Sequence, residues 1–166
     1  PHFRLRRQRQ MCIRDRYPII IGSNLTSSLS KIFKSNSIDF DKCLIVVDKN
    51  VPKKFVSNIK RSLKNKSIFV LFFNASEKNK NINSVNKILE ILLNKNFSRK
   101  DVLISLGGGI TGDVSGFAAS LFKRGLKFAN IPTTLLAQVD SSIGGKTGVN
   151  SKSVSYTHLR AHETHL

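Results

Sequence analysis

An apolar run from Val102 to Leu106 ends directly in three glycines, Gly107 to Gly109, and a small-residue helical pattern follows at once. A strand that stops on glycines and passes straight into a helix is a phosphate-binding design. Glycine permits positive φ and close backbone approach. The first turn of the next helix offers unpaired N–H groups and a positive dipole end to an anion. Gly107, Gly109 and Gly112 also satisfy G-x-G-x-x-G, a weak match taken alone. The acid expected about 20 residues later in a standard dinucleotide site is absent, since that region reads Ile131-Pro132-Thr133. Spacing by itself leaves phosphate or dinucleotide binding and a plain tight turn standing side by side.

The rest of the middle of the chain alternates strands and helices. Pro18 to Ile21 reads as a short strand, and Leu25 to Phe33 as a helix with Ser23 or Thr26 as candidate caps. Lys42 to Val47 is a buried strand, and Pro52 suits the first turn of a helix running to about Leu63. Ser67 to Phe73 is the most apolar strand; Val85, Ile88, Leu89 and Leu92 recur at helical spacing. Strand Val102 to Leu106, helix Thr111 to Phe122 and strand Lys127 to Ile131 complete the order. Such alternation predicts an α/β fold, a Rossmann-like and mainly parallel sheet flanked by helices. Ligands in these sheets sit at the carboxyl ends of the strands.

The formal net charge of +18 over 166 residues raises a nucleic-acid partner. Its distribution argues against one. Residues 1–16 hold six of the ten arginines and no lysine, and residues 154–166 also lack lysine. All 18 lysines and all 14 asparagines lie in residues 17–153, while all four histidines lie outside them. Two compositions are joined in one chain. The ends resemble adaptor or vector translation and are set aside as non-native segments, leaving 17–153 as one α/β domain. That middle keeps 21 Lys and Arg against 8 Asp and Glu, a net of +13. Its lysines scatter without aromatic interleaving, so a solvated basic surface that attracts anionic substrates is the reading. His158, His162 and His165 share one helical face at ligand spacing, with no placed acid or cysteine to complete a metal site. Cys43 opens an apolar strand as a buried small hydrophobe. Two cysteines and no apolar run of spanning length fit a reducing cytoplasm and no membrane partner.

The segment after Ile131 packs hydroxyls, one carboxylate, two glycines and a lysine into PTTLLAQVDSSIGGKTG. Gly145-Lys146-Thr147 is no Walker A loop, because Asp140 stands where its first glycine is needed. The joint run GGGITGDVSGFAAS, KRG and IPTTLLAQVDSSIGGKTGVN closely resembles 3-dehydroquinate synthase. Iron-dependent alcohol dehydrogenases share the fold and a GGG turn but not the segment from Gln138 to Lys146. Other sugar-phosphate cyclases come closer, and a stand-alone NAD-binding module is a further alternative.

The resemblance implies NAD as cofactor. It implies that Asp48 and Asn50 contact its adenosine part, and that Glu77 and Lys80 match a Gly-Glu-x-x-Lys element in which Ser76 replaces the glycine. Gly108, Gly109 and Asp113 would meet the pyrophosphate and ribose, and Thr133 and Thr134 the cofactor. Asp140 and Lys146 would line the junction of nicotinamide and substrate, with Lys146 stabilising negative charge and Asp140 orienting a hydroxyl. Arg124 would reach the substrate phosphate of a neighbouring subunit, implying a homodimer. The implied reaction converts 3-deoxy-D-arabino-heptulosonate 7-phosphate to 3-dehydroquinate and phosphate, with NAD regenerated and a divalent metal, zinc or cobalt, assisting. The family's metal ligands belong to a helical C-terminal domain that is absent here, so the chain by itself is expected to be inactive. The match fades by about Ser153.

Overall fold

A computed structural model describes residues 17–143 and 147–150. Four strands, β1 (Lys42–Asp48), β2 (Ser67–Phe73), β3 (Val102–Gly107) and β4 (Lys127–Pro132), form one sheet. Its order is β2-β1-β3-β4 and every pairing is parallel. Helices α2 (Lys53–Ser62), α3 (Ile82–Asn94) and α4 (Gly109–Leu121) make the three crossovers, and α1 (Leu29–Ser35) precedes β1. The chain leaves β1 in one direction to build β2, then returns past it to build β3. The strand order therefore reverses between β1 and β3, the position where such sheets bind ligands.

Alternation along the central strands sorts the core into two layers. Leu44, Val46 and Leu103 pack with Val85, Ile88 and Leu92 of α3 and Val114, Phe117 and Ala118 of α4. Cys43, Ile45, Val47, Val102, Ile104 and Leu106 face the other way, onto Leu29 and Phe33 of α1 and Val56 and Ile59 of α2. Burying a side chain of this size stabilises the fold by roughly 1.5–3 kcal/mol each. The start of the sheet is fixed by Asp101, which accepts from Asp41 N (3.3 Å), Lys42 N (2.9 Å), Ser98 N (2.7 Å) and Ser98 Oγ (2.9 Å). Those bonds tie the entry of β1 to the entry of β3.

The expected strand at Pro18 to Ile21 does not form; residues 17–22 are irregular. Pro18 has no N–H to give a ladder, and the run is too short to offer a paired edge. The candidate caps are also different. Asn24 and Ser28 occupy the cap positions without side-chain cap bonds, and Thr26 is buried in a 3-10 turn over Leu25–Ser27. The apolar run Ser67–Phe73 is an edge strand, mostly half-buried, with Phe72 exposed. Part of the stretch after β4 winds into a π-helical turn, Ala137–Ser141.

Candidate functional site

The carboxyl ends of all four strands open on one edge of the sheet, and each delivers part of the site. At the end of β3, Gly107 is packed between the first turn of α4 and the end of β1. A Cβ placed on it would lie 2.7 Å from Thr111 Oγ1 and 3.0 Å from Asp48 Cβ. One on Gly108 would stand 3.4 Å from Thr134 Cγ2, and one on Gly109 3.2 Å from Ser141 Oγ. The glycines are there for close approach. Positive φ is not the reason, because Gly125 alone among the described glycines adopts it. Gly108 is extended (φ −80°, ψ −172°) and stands at the N-cap of α4 with no side-chain cap bond. It leaves the first-turn amides of a 13-residue helix facing the strand ends.

Hydroxyls gather beside this turn. Thr111 Oγ1, Ser115 Oγ, Ser141 Oγ and Thr147 Oγ1 are buried and make no hydrogen bond within the protein. Thr111 and Ser141 lie at the glycine turn, whereas Ser115 is in the middle of α4 and Thr147 packs on Gly116. Buried polar atoms are nearly always satisfied in native folds, so the two unsatisfied hydroxyls at the start of α4 mark a place fitted to a polar ligand. Ser141 lies nearest to the glycine backbone and Thr111 just beneath it. This donor set and the α4 amides fit a pyrophosphate. The density of hydroxyls after Ile131 is legible in the sequence, but no local pattern gives Thr111, Ser115, Ser141 or Thr147 a role. Their signal lies in burial without a partner, which spacing does not carry.

The end of β1 gives Asp48, whose Oδ1 accepts from Asn50 N at 3.0 Å, while Lys49 N bonds Phe73 O of β2 at 2.9 Å. That is a side-chain-closed turn of the kind Asp favours at a strand end. It holds Asp48 beside Gly107 and leaves Asn50 exposed. The loop after β2 makes a 3-10 turn, Glu77–Asn79. Ser76 there is extended (φ −138°, ψ 156°), a conformation open to any residue, so the missing glycine costs the turn nothing. Lys80 Nζ reaches 2.6 Å from Asp113 Oδ2 on α4. Glu77 Oε1 accepts from Asn150 Nδ2 at 2.6 Å.

The end of β4 is held by Thr133 N bonding Gly107 O at 2.9 Å. Thr134 Oγ1 accepts from Ala137 N at 3.2 Å and so starts the helical segment that follows. Asp140 lies in the π-helical turn and is exposed. π-helical turns are rare and often found at functional sites. Leu135, Leu136 and Val139 on the same segment are 77%, 72% and 63% exposed.

Asp48, Asn50, Glu77, Lys80, Gly108, Gly109, Asp113, Thr133, Thr134 and Asp140 therefore share one edge of the sheet. Arg124 does not join them. It follows α4 and precedes β4, at the opposite end of the strands, exposed and in left-handed backbone (φ 67°) beside Lys123 (φ 45°). Such backbone costs roughly 1–3 kcal/mol per residue. Lys146 lies outside the described residues, as do His158, His162 and His165. Among the described residues no group of three or more His, Cys, Asp or Glu could hold a metal ion, and no helix is long and apolar enough to cross a membrane.

Comparison with known proteins places these residues in context. The family model for the 3-dehydroquinate synthase N-terminal region matches residues 70–156. The 3-dehydroquinate synthase of Pelagibacter ubique is 66% identical over 136 residues, 82% of this chain and 37% of that protein. The chain thus spans little more than a third of the length of that relative. Among solved structures, 2-deoxy-scyllo-inosose synthase complexed with carbaglucose-6-phosphate, NAD+ and Co2+ superposes with a TM-score of 0.78 at 27% identity, covering 91% of this chain and 41% of that one. The 2-epi-5-epi-valiolone synthase of Streptomyces hygroscopicus subsp. jinggangensis, with NAD+ and Zn2+ bound, gives 0.64 at 28% identity over 71% and 33%.

Proposed function

This chain belongs to the 3-dehydroquinate synthase N-terminal family, and from that premise we propose that it is the NAD-binding part of such a synthase. The observation that carries the reading is the start of α4. Backbone amides, three closely packed glycines and unsatisfied buried hydroxyls converge there at the switch point of a parallel sheet.

When bound, NAD supplies a reversible hydride acceptor for a hydroxyl of a sugar-phosphate substrate. The chain's own residues bind and orient. Gly108 and Gly109 let the pyrophosphate approach the α4 amides, and Thr133 and Thr134 border it from β4. Asp48 and Asn50 stand at the end of β1, where carboxylate and amide groups accept from and donate to ribose and adenine. Glu77 and Lys80, with Asp113, close the side formed by the β2 loop. Asp140 and Lys146 belong nearer the reacting end, as orienter of a substrate hydroxyl and as a fixed positive charge. Arg124 faces away from this edge, which supports a role toward the substrate phosphate of a second subunit in a homodimer.

The described residues do not fit a metal centre. We assign the zinc or cobalt of the synthase reading to the remainder of the intact protein. For the whole protein we read the substrate as 3-deoxy-D-arabino-heptulosonate 7-phosphate and the products as 3-dehydroquinate and phosphate, in a cytoplasmic pathway. The 166-residue chain by itself should release no phosphate.

A second reading, another sugar-phosphate cyclase, is favoured by the superposition on 2-deoxy-scyllo-inosose synthase. The test has two parts. NAD+ titrated into the chain by calorimetry should bind; absence of heat at millimolar NAD+ sinks the nucleotide reading. An intact gene carrying this segment, expressed and given the heptulosonate phosphate, NAD+ and Zn2+, should release phosphate. Release from glucose 6-phosphate instead supports the second reading.

A further inference from the structure

Residues 147–150 close a ring between α4 and the loop after β2. Thr147 packs against Gly116 so tightly that no Cβ fits there. Val149 is buried in the core layer that contains Val114 and Phe117 of the same helix. Asn150 then crosses to the loop after β2. Its N–H donates to Lys80 O at 2.8 Å, its Nδ2 donates to Glu77 Oε1 at 2.6 Å, and it pairs with Asn81 in a parallel bridge. Lys80 returns the connection to α4 through Asp113, one turn before Gly116. Each arm of the ring is short and directional.

The Asn150–Glu77 bond is exposed, and a solvent-exposed bond adds little to folding. Its effect is orientation. A glutamate on an exposed 3-10 turn samples several rotamers, and losing that freedom costs free energy when a ligand must fix it. Here Asn150 fixes it beforehand. The same residue holds the Lys80 carbonyl, from which the lysine stem runs to Asp113.

We propose that Asn150 is a positioning residue for the nucleotide site, holding Glu77 and Lys80 in place for NAD through the strap 147–150. This rests on the NAD-binding reading above. The test uses the full 166-residue chain, with NAD+ affinity by calorimetry and backbone hydrogen exchange without NAD+. Asn150→Ala should raise the NAD+ Kd about five- to tenfold, and Asn150→Asp more, by setting two carboxylates together. In the background of Glu77→Ala, adding Asn150→Ala should cost nothing further, because the side chain's partner is gone and alanine keeps the backbone N–H that holds Lys80 O. Amides of residues 77–81 should exchange faster in Asn150→Ala while those of β1 and β3 stay as in the wild type. Wild-type affinity in Asn150→Ala, losses that simply add, or unchanged exchange at 77–81 each overturn the inference and leave NAD binding intact. Faster exchange throughout β1 and β3 also overturns it, by making Asn150 a general scaffold residue. A wild-type chain that binds no NAD+ overturns the nucleotide reading, and the inference falls with it.

Discussion

Lys80 Nζ lies 2.6 Å from Asp113 Oδ2, and this contact joins the loop after β2 to the first two turns of α4 across the edge where the strands end. Both side chains are about four-fifths buried. A pair in that setting lies between the small value of an exposed pair and the several kcal/mol lost on breaking a buried one. A double-mutant cycle with Lys80→Ala and Asp113→Ala, read by urea unfolding, should give a coupling of about 1 kcal/mol. Additivity within ~0.3 kcal/mol would show that the contact does not bear on stability.

The glycines should not be equivalent. Gly107→Ala places a Cβ 2.7 Å from the hydroxyl of Thr111, a stiff and fully buried side chain on α4. Overpacking of this kind costs about 1–3 kcal/mol. Gly108→Ala meets only Thr134 at ordinary contact distance and should change stability far less. Thermal unfolding of the two variants decides it, and equal losses would contradict the packing argument.

Asp101 should make stability depend on acid. Burial raises its carboxyl, but the bonds from Ser98, Lys42 and Asp41 outweigh it and hold the group below the ordinary carboxylate range. The unfolded carboxyl titrates near 3.8. The native form therefore stays ionised to lower pH, and the stabilisation is complete above that value. It is lost as pH falls through the lower native value. Asp101→Asn puts donors where acceptors are needed and should cost about 2–3 kcal/mol at pH 7. Urea midpoints followed from pH 7 to 3 should fall less steeply for the variant than for the wild type. Parallel pH profiles would refute the assignment.

Cys43 should be silent toward thiol reagents in the folded chain. Burial, with a smaller push from the Asp101 charge, raises its thiol to about 12, and the thiolate is the nucleophile. The native state keeps a proton that the unfolded thiol releases, so this contribution to stability is present at neutral pH. It is lost as pH rises from the ordinary thiol range toward 12. Iodoacetamide at pH 8 with peptide mapping should find Cys43 unmodified until urea is added. Modification at the unfolded rate in native buffer would count against its burial.

Periodicity alone placed β1, β2, β3 and β4, because apolar runs bounded by polar turns have few other solutions. The turn at Gly107 to Gly109 was equally plain, since three glycines stand between an apolar run and a helical pattern. The alternation of strands and helices also determined a parallel sheet. Tertiary structure decided what depends on neighbours distant in sequence. The most apolar strand, Ser67–Phe73, became an edge because the order β2-β1-β3-β4 put it there. The glycines proved to serve packing against Asp48, Thr134 and Ser141, partners 26 to 59 residues away that no local pattern reveals. Pairing of Lys80 with Asp113, and of Asn150 with Glu77, likewise waited on the fold, because a side chain's hydrogen-bond partner is set by where the backbone carries it.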